Sequence, residues 1–205
     1  MQRKLRRWEL ALLAGIAITL LCGMYLDREQ ADLAHSVIRL HVIANSDSEQ
    51  DQNLKLQVRD RILEQAAALY RPEDDVETAR RRLEDNLALL ARTGREAVEE
   101  QGYDYPVSVK LERTWFPTKT YTDFALPAGN YEALRVIIGE GEGQNWWCVV
   151  FPPLCLGSVS ETVDEAAAAG SFTQGQVALV TGETEGYVVK FKLMELWEEL
   201  KHHFR

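Results

Sequence analysis

Apolar residues recur along this chain with two different periods, and the change of period divides it. Leu54, Val58, Ile62, Ala66 and Leu69 fall three or four apart, one stripe of an amphipathic helix, with Lys55, Arg59 and Glu64 off it. Arg71-Pro72-Glu73-Asp74-Asp75 interrupts the pattern and suits a new helix start. Val76, Ala79, Leu83, Leu87, Leu90 and Val98 then trace a second stripe ending near Gln101, beside a charged face of Arg80, Arg81, Arg82, Glu84 and Asp85. From Tyr105 the period shortens to two. Val107, Val109 and Leu111 alternate with Ser108, Lys110 and Glu112, which predicts a strand with one wet face. Tyr131 to Ile138 predicts another strand. Asn145 to Phe151 is apolar on both sides and predicts a central one, with Trp147, Val149 and Phe151 on one face and Trp146, Cys148 and Val150 on the other. Upstream, Val37 to Ile43 is rich in β-branched residues and reads as a strand with His41 on its polar side.

The segments between these elements have simple local readings. Ser46 followed three residues later by Glu49 is a capping-box pattern ahead of the first helix. Asn45, Asp47, Glu49 and Asp51 also alternate like calcium ligands, but the glycine and the terminal glutamate of an EF-hand are missing. Gly139-Glu140-Gly141-Glu142-Gly143-Gln144 lacks the following helix and Lys-Ser or Lys-Thr pair of a phosphate loop, and reads as a flexible hairpin connection. Ser158 to Ala169 reads as a short helix or an acidic insertion, and Val177 to Val180 as a short strand. Phe191, Leu193, Met194, Leu196, Trp197 and Leu200 line a terminal helix ending at His202-His203.

The amino terminus changes the picture. Arg3, Lys4, Arg6 and Arg7 precede Leu10 to Leu26, which carries no charge. A positive start followed by an apolar stretch is the outline of an export signal. Its seventeen residues stand at the lower edge of what spans a bilayer, about 17–25. No Ala-x-Ala-type site follows, so the segment is either a cleaved signal or a retained anchor with its basic end in the cytoplasm. Cys22 lacks the small preceding residue of a lipoprotein, and Arg6-Arg7 lacks the flanks of a twin-arginine signal.

Beyond residues 1–26 the chain holds 19 basic and 31 acidic residues. Such a surface repels phosphate backbones and argues against nucleic-acid binding. In an exported domain Cys148 and Cys155 are in a compartment where a disulfide persists, with Phe151-Pro152-Pro153 as a place for the chain to reverse; two buried free thiols are the alternative. Two cysteines at this spacing with no histidine nearby make a poor zinc set. No Gly-x-Ser-x-Gly, His-Glu-x-x-His or Walker-type loop is present, and no catalytic, metal or cofactor residues are assigned.

Four segments belong together: Ile38-Arg39-Leu40…Ala44-Asn45-Ser46-Asp47-Ser48…Asp51-Gln52, Phe116-Pro117-Thr118-Lys119-Thr120-Tyr121, Pro127-Ala128-Gly129-Asn130-Tyr131-Glu132-Ala133, and Asn145-Trp146-Trp147-Cys148-Val149-Val150-Phe151-Pro152-Pro153-Leu154-Cys155. In this order and spacing the set, from about Val37 to Leu156, resembles the stage II sporulation protein R family. The resemblance implies an exported signalling protein and not an enzyme. It implies export from the forespore into the space between the two cells, where such a protein triggers a membrane-embedded aspartic protease of the mother cell, stage II sporulation protein GA. That protease removes the pro-segment of the early mother-cell sigma factor. A cell-envelope hydrolase and a structural envelope module are the alternatives.

The expected fold class is α+β, a single domain with a mainly antiparallel sheet packed with two long amphipathic helices behind an N-terminal membrane or signal segment. The expected organisation is a signal peptide or signal anchor over 1–26, a polar stalk over 27–36, a core domain over 37–156, and a variable tail over 157–205. Membrane contact is expected through residues 10–26. The candidate partner interface is Trp146, Trp147, Phe151, Pro152 and Pro153, and Cys148 with Cys155 is the candidate disulfide.

Overall fold

In a computed structural model, residues 2–71, 73–121 and 125–154 are described. Four strands build the main sheet: β1 (Ile38–Ile43), β2 (Val107–Phe116), β5 (Gly129–Ile138) and β6 (Asn145–Phe151), with β3 (Lys119–Thr120) and β4 (Ala125–Leu126) forming a small separate ribbon. The helices are α1 (Gln2–His35), α2 (Glu49–Ala67), α3 (Val76–Asp85) and α4 (Leu87–Glu100). The class is α+β as expected, but the sheet is mixed. Its order is β2-β5-β1-β6, with β1 parallel to β5 and antiparallel to β6.

The order corrects two expectations. The segment Asn145–Phe151 pairs only at the end of the order among the described strands, and β1 and β5 occupy the middle. The glycine loop 139–144 is therefore not a hairpin turn. It carries the chain from β5 across the end of β1, because β1 lies between the two strands that the loop joins.

Helix α2 buries the stripe read from its spacing: Leu54, Val58, Ile62 and Ala66 are all in the core, and Leu69 packs against it. Its cap is Ser48, whose hydroxyl accepts from the Asp51 amide at 3.2 Å, two residues later than the Ser46 start expected. The second long helix is broken. Asn86 has non-helical dihedrals and its side-chain amide donates to the Arg82 carbonyl at 2.8 Å, which ends α3 and starts α4. The apolar stripe survives the break, with Ala79, Leu83, Leu90 and Val98 fully or almost fully buried.

The sheet has two covered faces. On the first, Ile38, Leu40, Val42, Leu134, Val136, Ile138, Cys148 and Val150 meet the helices α2, α3 and α4. Truncating a residue such as Ile62 or Leu134 to alanine there costs about 2–5 kcal/mol. On the second, Tyr131, Ala133, Val149 and Phe116 meet Leu33 and Ala34 at the end of α1, Val37 just after it, and Ala125 and Leu126 of the ribbon. A shift of register between Ile38 and Arg39 leaves Phe151 in the first core with Val150, not on the Trp147 face as strict alternation requires.

Helix α1 runs without interruption into the domain. The expected polar stalk, 27–36, continues it as far as His35, and Leu33 and Ala34 are buried against the second face. Upstream, Leu10, Leu12, Leu13, Ile16, Ile18, Leu20 and Leu21 are exposed. Among the described residues no helix is long and apolar enough to cross a membrane. The readings of a tail helix, a tail strand and His202-His203 lie outside the described residues, as does Cys155.

Candidate functional site

Three places bring together the residues singled out by sequence. The first is the loop 44–48 at the end of β1, which ties the start of α2 to the loop between β5 and β6. The Asn45 carbonyl oxygens accept from both sides: its side-chain oxygen takes the Glu140 amide at 3.0 Å and its backbone oxygen the Glu142 amide at 3.1 Å. Gly143 donates to the Ala44 carbonyl at 3.0 Å. Asp51 accepts from the Asn45 amide at 2.9 Å and the Ser46 hydroxyl at 2.6 Å. Burial pushes the Asp51 carboxyl up, but these donors together with Ser48 outweigh it and hold the group below the usual carboxylate range. Lys55, read as off the helix stripe, is instead buried, donating to Gln52 and to the Gln144 carbonyl at 2.9 Å. Asn45, Ser46, Asp51 and Gln52 thus spend their polar groups on one another and on the loop. Among the described residues no group of His, Cys, Asp and Glu could hold a metal ion.

The second place is the second face of the sheet. Arg39 is completely buried in β1, its guanidinium carbon 4.1 Å from the centre of the Phe116 ring and 4.9 Å from that of Tyr131. It donates to the Tyr121 hydroxyl at 3.0 Å, and that hydroxyl donates to the Trp147 carbonyl at 3.2 Å. His41, two residues on and on the same face, is buried too, contrary to its expected place on the wet side. Nε2 of His41 lies 2.8 Å from Asn145 Oδ1. Burial, with Arg135 and Arg39 nearby, lowers the His41 pKa to about 4 against the opposing pull of Asn145 and Glu112. The imidazole is therefore neutral at pH 7. This cluster escaped the sequence reading because a strand with polar residues at alternate positions ordinarily exposes them. The aromatic residues of the motif Phe116 to Tyr121 were the available signal.

The third place is the candidate partner interface. The structure separates its members. Trp147 stacks on His41 and is half-buried, Phe151 and Pro152 are buried, and Pro153 is half-buried. Phe151 packs edge-on against Tyr70 at 5.1 Å. Trp146 alone among the described large apolar residues outside α1 is exposed, at 37 %, and the Arg59 guanidinium caps its ring at 4.4 Å. Cys148 is buried and disulfide-bonded, while Cys22 is free.

Comparison with known proteins follows these motifs. The family model described as "Stage II sporulation protein R (spore_II_R)" matches residues 34–161. The chain is similar to the stage II sporulation protein R of Bacillus subtilis (strain 168), with 34% identity over 180 residues that cover 80% of this chain and 80% of the relative. No solved structure matches the chain.

Proposed function

Because the chain belongs to the stage II sporulation protein R family, we propose that it is an exported signal of sporulation that acts by binding. On this reading residues 1–26 direct it out of the forespore. In the space between the two cells it engages the membrane-embedded aspartic protease of the mother cell, stage II sporulation protein GA. Its free energy of association favours the active arrangement of that receptor, most simply a dimer, and the sigma-factor precursor is then cut.

The observation that carries the reading is the extent of the family match. It begins at residue 34, inside the last turns of α1 that dock on the sheet, and spans every described strand and the three described helices after α1. Two further observations support it. The apolar residues of α1 from Leu10 to Leu21 are exposed, the kind of surface that a membrane or export machinery takes up. Trp146, rigid, aromatic and exposed, is the type of side chain that anchors interfaces.

Co-expression with the receptor protease and its precursor substrate in a non-sporulating host tests this. Cleavage of the substrate only when the exported chain is present is the expected outcome. Cleavage at the same rate without it, or no cleavage with all three produced and correctly located, overturns the reading.

A further inference from the structure

The second face of the sheet holds buried guanidinium donors without an acceptor among the described residues, and we propose that this cluster binds a single carboxylate. Arg39 and His41 alternate onto one face of β1, and the parallel register sets Arg135 of β5 beside His41. Among the described residues only one of the three guanidinium nitrogens of Arg39 has a partner, the Tyr121 hydroxyl. Nε and Nη1 of Arg39 and Nε of Arg135 are buried donors without a hydrogen-bond partner among the described residues, while Nδ1 of the neutral His41, whose Nε2–H donates to Asn145 Oδ1, becomes a donor only on protonation. A buried guanidinium cannot relieve itself by losing its proton, so its donors call for an acceptor.

The described carboxylate nearest to this role is already engaged. Glu112 accepts from Arg135 Nη1 at 2.8 Å. No ion pair reaches Arg39 among the described residues. With His41 neutral, one positive charge is left uncompensated among the described residues, in a chain whose formal charge is −9. The faces of Phe116 and Tyr131 cushion it but accept no hydrogen bond in the plane of the fork.

The charge and shape select the ligand class. A carboxylate brings one negative charge and two coplanar oxygens, the match for one guanidinium fork. A phosphate dianion would bring a second charge into a site walled by Phe116, Tyr131 and Trp147, where only one cation among the described residues is free to meet it. Tyr121, Trp147 and Arg135 are only half-buried, so the group would reach Arg39 past these side chains. The inference stands apart from the receptor reading, since it rests on this face alone.

The test is titration of the full chain with acetate, with an acetylated aspartyl peptide amide and with inorganic phosphate, following the His41 ring signals by NMR and tryptophan fluorescence. A saturable response to carboxylate with a rise in the His41 pKa is expected, because a bound anion favours the imidazolium. Arg39→Lys, which keeps the charge but loses the fork, should weaken binding about tenfold. Arg135→Gln, at a half-exposed position, should weaken it several-fold with unchanged circular dichroism, which covers the case in which Arg39 variants fail to fold. A tighter response to the peptide than to acetate identifies a peptide source, and equal responses a small acid. No saturable response in the folded chain, an Arg135→Gln protein that responds like the parent, or a phosphate response as strong as that to carboxylate overturns the proposal.

Discussion

The His41 imidazole stacks on the Trp147 indole with ring centroids 3.8 Å apart and planes inclined by 20°. The register explains the pairing, for His41 of β1 stands directly opposite Trp147 of β6. One half of the double tryptophan is thereby turned inward to a neutral histidine. The other half, Trp146, is turned to the opposite side, where Arg59 of α2 covers its face.

His41 makes stability depend on pH. Its folded pKa, about 4, lies below the ordinary histidine value of 6.5. The unfolded chain therefore binds the proton more readily, and the folded state loses stability as pH falls from about 6.5 to about 4, by up to about 3 kcal/mol. Above that window the contribution is fully present. His41→Phe keeps a ring against Trp147 and removes the titration. Thermal unfolding of the two proteins across this range should show the variant with the shallower slope; equal slopes would assign the loss to other groups.

Trp146 separates binding from folding. Trp146→Ala removes one exposed ring and its contact with Arg59, worth about 0.5–1 kcal/mol at such a site. Urea unfolding should shift by no more than that. If Trp146 anchors the receptor, substrate cleavage in the co-expression assay should fall at least tenfold, the effect of losing a binding hot spot. Undiminished cleavage would remove Trp146 from the interface.

The disulfide at Cys148 is expected to be structural. Cys148→Ala should lower stability by about 2–4 kcal/mol and make the unfolding midpoint indifferent to reductant. Cleavage activity should persist at temperatures where the variant stays folded. A loss of activity without a loss of stability would point to a chemical role for the sulfur.

Gly143 sits where a side chain has no room. A Cβ there would collide with the backbone carbonyl of Ser46 and the Cβ of Ala44. Gly143→Ala should force the loop away from β1 and strain the bonds to Ala44 and Lys55, costing about 1–3 kcal/mol. Chemical denaturation measures the loss, and Gly15→Ala, where nothing lies within 4 Å, is the control.

The boundary of the folded unit can be tested by truncation. Removal of residues 1–26 leaves Leu33, Ala34 and Val37 to close the second core, so the shortened chain should fold in the cytoplasm yet fail to activate the protease. An unrelated export signal in place of 1–26 should restore activation, and a cleavable one shows whether tethering matters. Removal of residues 1–36 takes away Leu33 and Ala34, both buried, and should lower the unfolding midpoint sharply. Activation by the trapped cytoplasmic form would sink signalling across a membrane.

What the sequence determined by itself was local or carried by motif. The stripe of Leu54, Val58, Ile62 and Ala66 buries as its spacing requires, because helix periodicity puts those residues on one side whatever lies opposite. The alternation of Val107, Val109 and Leu111 likewise made a strand. The motifs from Ile38 to Cys155 identified the family, which the comparisons show. Strand order needed the whole chain. Nothing local says that β1 inserts between β5 and β6, since that choice depends on which edges meet after the helices have packed. The same holds for Arg39 and His41. Alternation placed them on one face of β1, but only the arrival of α1, the ribbon and Phe116 over that face turned polar positions into a buried, cation-bearing core. Burial is a property of the second layer, and the residues of a single strand cannot report what will cover them.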